Sequence, residues 1–94
     1  MALARVVSFE GVDKARMDAL AREIDEGGPR EDVPASEMLL LHDPESASAL
    51  AVVFFESEED YARGDATLNA MPAGDTPGRR SSVAKYTVAL RMRP

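Results

Sequence analysis

An unbroken apolar run at positions 50–55 constrains the fold of this 94-residue sequence more than any other feature. The run reads Leu-Ala-Val-Val-Phe-Phe and follows Ala49. A short segment of this kind, rich in β-branched and aromatic residues and without polar alternation, predicts a strand that is buried on both faces. We therefore expect a strand over residues 49–55 that lies in the middle of a sheet.

Three other segments have the composition of strands. Residues 3–9 are apolar and partly β-branched, and residues 37–42 contain the run Met-Leu-Leu-Leu. Residues 82 to about 93 alternate between two sets of side chains, which is typical of a strand with two different faces. The sequence Asp-Pro-Glu-Ser at residues 43–46 supplies turn chemistry and predicts a hairpin between the second and third strands.

A first helix is predicted after Asp13, whose carboxylate can cap the helix start. Four apolar residues then recur at the spacing i, i+3, i+4 and i+7, which places them in one stripe. They are Met17, Leu20, Ala21 and Ile24. The sequence Gly-Gly-Pro at residues 27–29 ends this helix.

A second helix is predicted to begin at Ser57, which opens a capping-box pattern with three acidic residues at positions 58–60. One face of this helix carries Tyr61, Gly64, Leu68 and Met71. Because glycine has no side chain, Gly64 allows the helix to lie close to the sheet, although glycine costs about 1 kcal/mol in helix propensity. The turn-rich residues 72–78 separate this helix from the last strand.

The order β-α-β-β-α-β predicts an α+β, ferredoxin-like fold for a single domain over residues 1–94. In this fold a four-stranded antiparallel sheet has its first and third strands in the middle and both helices on one face. The other face stays bare, yet its strands are apolar there as well. Large exposed apolar patches mark interfaces, so we expect a homodimer in which a second subunit covers this face.

Composition excludes several classes of protein. The sequence has no cysteine and one histidine, so disulfides, a metal site and a haem cofactor are not expected. The formal charge of −6 argues against nucleic acid as a partner. No apolar run is long enough for a membrane span, and the first residues lack the features of a signal peptide, so a cytoplasmic location is expected.

Three stretches of the sequence resemble the antibiotic-biosynthesis-monooxygenase-like family of the dimeric α/β-barrel superfamily. They are Leu-Leu-Leu-His-Asp-Pro at residues 39–44, Phe-Phe-Glu-Ser-Glu-Glu-Asp-Tyr at residues 54–61, and Arg-Arg-Ser-Ser-Val-Ala-Lys-Tyr at residues 79–86. The resemblance implies two subunits that pack their sheets into a barrel with an enclosed pocket, and an activity of cofactor-independent oxidation of an aromatic substrate. The chain departs from the family in having no Trp and a single Asn, Asn69.

Two residues are candidates for catalysis. His42 is the only side chain whose ordinary pKa lies near neutrality, and proton transfer is its first candidate role. The alternative role for His42 is a solvated histidine at a strand end. Tyr86 on the last strand can donate its hydroxyl group to a substrate oxygen, or serve as a core or interface aromatic.

Other polar residues are candidates for ligand binding. Arg5 and Ser8 interrupt the first strand and Glu10 ends it, so they can reach a ligand inside a barrel. The alternative is that Arg5 extends past the sheet edge and Glu10 pairs near the surface. The residues Arg79 and Arg80 can clamp a carboxylate or phosphate, or pair with surface acids.

The leading functional hypothesis is a dimeric α/β-barrel protein that binds a small apolar or aromatic molecule in a pocket between sheet and helices. One alternative is a cofactor-independent monooxygenase acting on an aromatic or polyketide substrate, with His42 or Tyr86 aiding deprotonation. Another is a structural dimer whose barrel is filled by side chains and holds no ligand.

Overall fold

The computed structural model describes residues 1–28, 30–71 and 76–94. The elements in chain order are β1 (Leu3–Glu10), α1 (Lys14–Gly27), β2 (Glu37–Asp43), β3 (Ser48–Phe55), α2 (Glu58–Asn69) and β4 (Arg79–Thr87). The strands form one antiparallel sheet in the order β2-β3-β1-β4. This confirms the α+β ferredoxin-like arrangement, with β1 and β3 in the middle of the sheet.

Both helices begin at the predicted caps. The Asp13 carboxylate accepts a hydrogen bond of 2.7 Å from the Arg16 amide, and the Ser57 hydroxyl accepts one of 3.1 Å from the Asp60 amide. On α1, however, Ala21 is exposed. Of the other residues in the predicted stripe, Met17 and Leu20 are buried and Ile24 is half-buried, so the side of α1 that meets the core is narrower than the stripe.

Both helices pack on the same face of the sheet, where two clusters of buried side chains form the core. One cluster lies beneath α1 and consists of Val7, Phe9, Val12, Met17 and Ala49. The other lies beneath α2 and consists of Leu3, Val53, Phe55 and Tyr61. The odd-numbered residues of β1 therefore point toward the helices, and the even-numbered residues point to the opposite face, since strand side chains alternate.

Gly64 brings α2 into close contact with the sheet, as its position in the sequence predicts. A Cβ atom built on Gly64 would lie 2.3 Å from Cε1 of Phe55, whose side chain is fully buried. The ring of Phe55 thus occupies the space that any other residue at this position would need. Tyr61 packs against the same ring edge to face, with the ring centroids 5.4 Å apart.

The last strand differs from its predicted span, residues 82 to about 93. It begins earlier, at Arg79, because Arg79 pairs with Glu10, and an irregularity in register falls between Ser8 and Phe9. It ends at Thr87 because its partner β1 begins at Leu3, which pairs with Thr87. Beyond that point residues 88–94 pair with no strand among the described residues. The amide of residue 88 donates a hydrogen bond to the carbonyl of residue 2.

Two predicted turns fall partly outside the described residues. Residues 72–75 of the turn-rich segment and residue 29 of the Gly-Gly-Pro helix stop lie there. In the described part of the chain, no helix has both the length and the apolar character needed to cross a membrane.

Candidate functional site

The face of the sheet opposite the helices, here called the open face, carries its side chains in four rows. Read from β2 to β4, the strand register places Asp43, Ser48, Glu10 and Arg79 in row one; Leu41, Leu50, Ser8 and Ser82 in row two; Leu39, Val52, Val6 and Ala84 in row three; and Glu37, Phe54, Ala4 and Tyr86 in row four. The charged side chains are confined to the two outer rows. The middle of the open face carries only apolar and hydroxyl side chains.

Large apolar side chains are exposed on the open face. Leu39, Leu41 and Leu50 are 40%, 47% and 37% exposed, respectively. The sequence predicts burial of β3 on both faces, but within one chain the buried residues of this strand, Ala49, Val53 and Phe55, all lie on the helix-facing side. An apolar centre with a polar rim is the usual anatomy of a protein interface.

A depression of about 380 Å³ lies at the row-one end of the open face. Leu41 and Leu50 provide its apolar wall, while Ser8, Glu10 and Asp43 provide hydroxyl and carboxylate groups. Two of the predicted ligand-binding residues, Ser8 and Glu10, are thereby brought together. His42 also lines this depression, whereas Arg5 and Tyr86 do not.

A second depression, of about 260 Å³, lies between the end of α2 and the start of β4. Leu68 and Met71 line it from the helix side, and Arg79 and Arg80 line it from the strand. Of the two depressions, this second one lies between the sheet and a helix. The larger one lies on the open face, away from both helices.

Arg5 is buried on the helix-facing side of β1, with 4% of its side chain exposed. Its Nε donates a hydrogen bond of 2.8 Å to Oδ1 of Asp65, and its Nη2 donates one of 2.9 Å to Oδ1 of Asn69, both on α2. The expectation that Arg5 extends past the sheet edge is wrong. Because β1 is a central strand, Arg5 has no edge to reach and is neutralised by α2 instead.

The two catalytic candidates lie on opposite faces of the sheet. His42 alternates with Leu41 on β2 and so points to the helix side, where its Nε2 lies 3.1 Å from the carbonyl oxygen of Val12. Tyr86 lies in row four of the open face and is 57% exposed. His42 belongs to the lining of the depression at the row-one end, whereas Tyr86 lies three rows away, so one small substrate cannot contact both side chains.

The surface arginines of the last strand are held in two different ways. Arg79 forms an ion pair of 2.5 Å with Glu10, in agreement with the expected surface pairing of Glu10. The Nη1 of Arg80 donates a hydrogen bond of 3.1 Å to the Asn69 side chain, which also accepts one from Arg5. The amide oxygen of Asn69 thus lies between two guanidinium groups.

The sequence interpretation missed Asp65 and Asn69, the partners of Arg5. A signal was present in the helical spacing, because Asp65 falls four residues after Tyr61 and three before Leu68, within the stripe that faces the sheet. An acidic residue in such a stripe needs a buried partner. Arg5 was the one basic residue in the strand opposite.

Asp43, at the edge of the open-face depression, is held in its ionised form. Hydrogen bonding from the Ser46 side chain, with help from the backbone amides of Ser46 and Glu45, lowers the pKa of the Asp43 carboxyl below its ordinary value. A hydrogen bond to the charged form is the physical cause. The depression therefore presents a carboxylate at neutral pH.

Removing the Ser46 hydroxyl with Ser46→Ala is expected to raise the pKa of the Asp43 carboxyl toward its ordinary value. Because the fold lowers this pKa, the stability it contributes is present above the ordinary pKa and is lost as the pH falls through the lowered one. The variant should therefore lose less stability on acidification than the wild type. Carbon-13 NMR titration of Asp43 measures the shift, with Ser82→Ala as a control, and an unchanged Asp43 pKa would contradict the assignment.

No three His, Asp or Glu side chains among the described residues lie close enough together to hold a metal ion. Two acidic residues near the start of α2 have other partners: Glu58 pairs with Lys85 at 2.7 Å, and Glu56 accepts a 2.7 Å hydrogen bond from Ser36. A comparison of the sequence with models of known protein families found no match, and a comparison with curated proteins found none either.

Proposed function

We propose that the chain works as a homodimer in which two open faces meet and bind a small apolar or aromatic molecule between them. The observation that carries this proposal is the pattern of the open face. Its centre is apolar and partly exposed, its charged residues lie at the two ends, and both helices pack on the other side of the sheet.

A second copy is the occupant that the composition of β3 favours. A domain of this size buries only about 60 to 65% of the surface of its unfolded chain, so an enlarged core adds substantially to its stability. Covering Leu39, Leu41 and Leu50 would place both faces of β3 in an apolar environment. Twofold pairs are the commonest symmetric assemblies of a single chain.

The ligand would occupy the depression at the row-one end of the open face. Its volume of about 380 Å³ falls within the range of roughly 300–1,000 Å³ that is common for small-molecule sites. The side chains of Leu41 and Leu50 suit an apolar or aromatic ring, and the Ser8 hydroxyl and Asp43 carboxylate suit hydrogen-bond donors on that ring. A hydroxylated aromatic molecule has both features.

A pair of neighbouring residues on β2 tests the dimer. Leu39 and Met38 are 40% and 42% exposed, but Leu39 lies on the open face and Met38 on the helix-facing side. We expect Leu39→Asp to convert the dimer to a monomer and Met38→Asp to leave it intact, because only the first places a charge within the interface. Sedimentation equilibrium measures both; a monomeric wild type at about 100 μM would overturn the proposal, since specific dimers hold at this concentration.

Thermal unfolding with naphthol and related hydroxylated aromatics tests the ligand. A compound that binds only the folded dimer should raise the melting temperature of the wild type and of Met38→Asp, and not that of Leu39→Asp. A dimer that no compound stabilises would support an interface filled by side chains and would refute the ligand site. Oxygen consumption in the same mixtures separates a monooxygenase from a binding protein.

A further inference from the structure

Side-chain size is distributed unevenly across the open face. In rows two and three the β2 and β3 half carries Leu39, Leu41, Leu50 and Val52, whereas the β1 and β4 half carries Val6, Ser8, Ser82 and Ala84. One half of the face is therefore raised and the other half is hollow. A surface of this shape fits a copy of itself when the raised half of each copy faces the hollow half of the other.

We propose that the two copies pair about a twofold axis parallel to the strands, so that the raised half of each covers the hollow half of the other. This inference rests on the proposed dimer and not on the ligand site: it gives the geometry of the dimer with no molecule bound, in which side chains of the second copy fill the depression at the row-one end. An axis along the strands keeps each row opposite the same row and reverses the strand order. Leu50 then packs over Ser8 of the second copy, Leu41 over its Ser82, and Leu39 over its Ala84.

The charges of row one follow the same rule. With the strand order reversed, Asp43 at the β2 edge lies opposite Arg79 of the second copy at the β4 edge. Arg79 is already paired with Glu10 in its own chain, and its side chain is 78% exposed, so it has donors available for a second carboxylate. Each end of row one thus places an acid against a base.

The other in-plane axis, perpendicular to the strands, gives a poor fit. It stacks each strand on its own copy and reverses the rows, so that Leu41 meets Leu39 and Ser8 meets Val6. Large side chains would then oppose large ones, and the hollow half would be left as voids, which cost stability in any packed core. Asp43 would also face Glu37, a pair of like charges.

The C-terminal tail of the chain limits the contact to rows one to three. The guanidinium carbon of Arg91 lies 4.6 Å from the centre of the Phe54 ring, and Arg91 also approaches Glu56 at 3.6 Å. Arg93 lies 3.6 Å from Glu37. The β2 and β3 end of row four is therefore covered by the chain itself, and the rows left bare are those whose sizes and charges are self-complementary.

Mixing two single variants tests the axis between chains. Ser8→Leu puts a large residue in both halves, and Leu50→Ser puts a small one in both, so each variant should form a poor dimer with itself. In a mixed dimer, Leu50 and the leucine introduced at position 8 of the Ser8→Leu chain each face a serine of the Leu50→Ser chain. We expect heterodimers to outcompete both homodimers by at least about tenfold, measured by native mass spectrometry, since overpacking and voids each cost a factor of this order.

The possible outcomes test the orientation of the axis separately from the existence of the dimer. Under the perpendicular axis, positions 8 and 50 do not face each other, so heterodimers would form only in statistical proportion, and this result would overturn the inferred axis while the dimer stands. A wild type that stays monomeric would overturn both. The pair Ser82→Leu and Leu41→Ser repeats the test at the outer strands if either first variant fails to fold by circular dichroism.

Discussion

Asp65→Ala is expected to lower the free energy of unfolding by about 2 to 3 kcal/mol. The change removes the only carboxylate within salt-bridge distance of Arg5 among the described residues, and leaves a guanidinium buried with a single amide partner, Asn69. Breaking a buried pair by removing one partner typically costs about 3 to 5 kcal/mol. The expected value is smaller because 34% of the Asp65 side chain is exposed and alanine is a better helix former.

Removing the other partner should cost much less. Arg5→Met replaces the guanidinium by an apolar side chain of similar length in an apolar position, and leaves Asp65 partly exposed to water. We expect a change within about 1 kcal/mol, because replacing a buried ion by a well-packed apolar group is often neutral. The double variant Arg5→Met with Asp65→Ala should be close to Arg5→Met alone.

Denaturant unfolding of the four proteins measures this cycle. A matched control is Asp18→Ala, which removes an ion pair of similar length, 2.7 Å, between the exposed residues Asp18 and Lys14. Its loss is expected to be much smaller than that of Asp65→Ala, as is usual for exposed pairs on a helix. Equal losses for Arg5→Met and Asp65→Ala would show that the pair, and not the stranded charge, sets the cost.

The central strands and the helix starts were predictable because their signals are local. The apolar run at residues 50–55 specifies a central strand whatever the rest of the chain does. The same holds for Asp13 and Ser57, whose side chains bond amides only three residues away. A hydrogen bond between residues three positions apart forms locally, so it can be predicted without knowing the tertiary structure.

The orientation of Arg5 was not predictable from its own strand. Its neighbours in the sequence are apolar on both sides, so alternation alone allows either face. What decides the face is Asp65, sixty residues away on α2. The favourable pairing with this carboxylate outweighs the cost of burying a long polar side chain.

The predicted end of β4 was wrong for a related reason. Alternation continues in the sequence through residue 92, yet a strand needs a neighbour for its backbone hydrogen bonds, and β1 provides none beyond Leu3. The side chains of Leu90 and Met92 are consequently 75% and 71% exposed. A period-two pattern predicts a strand only as far as its partner extends.

Gly64→Ala is expected to destabilise the protein by about 2 kcal/mol or more, although alanine favours a helix over glycine by about 1 kcal/mol. The new Cβ would lie 2.3 Å from one carbon of the Phe55 ring and 2.4 Å from another. That ring is fully buried and packed against Tyr61, so it cannot move aside without disturbing the core beneath α2.

Gly27→Ala at the end of α1 is the matched control, because a Cβ atom there would meet no atom within 4 Å and its backbone has no positive φ. This change should be neutral or stabilise the protein by up to about 1 kcal/mol, through helix propensity and a less flexible unfolded chain. Thermal and denaturant unfolding measure both variants. The smaller side chain of Phe55→Leu should partly rescue Gly64→Ala, since the clash involves the far edge of the ring, and a Gly64→Ala protein as stable as the wild type would contradict the close approach of α2 to β3.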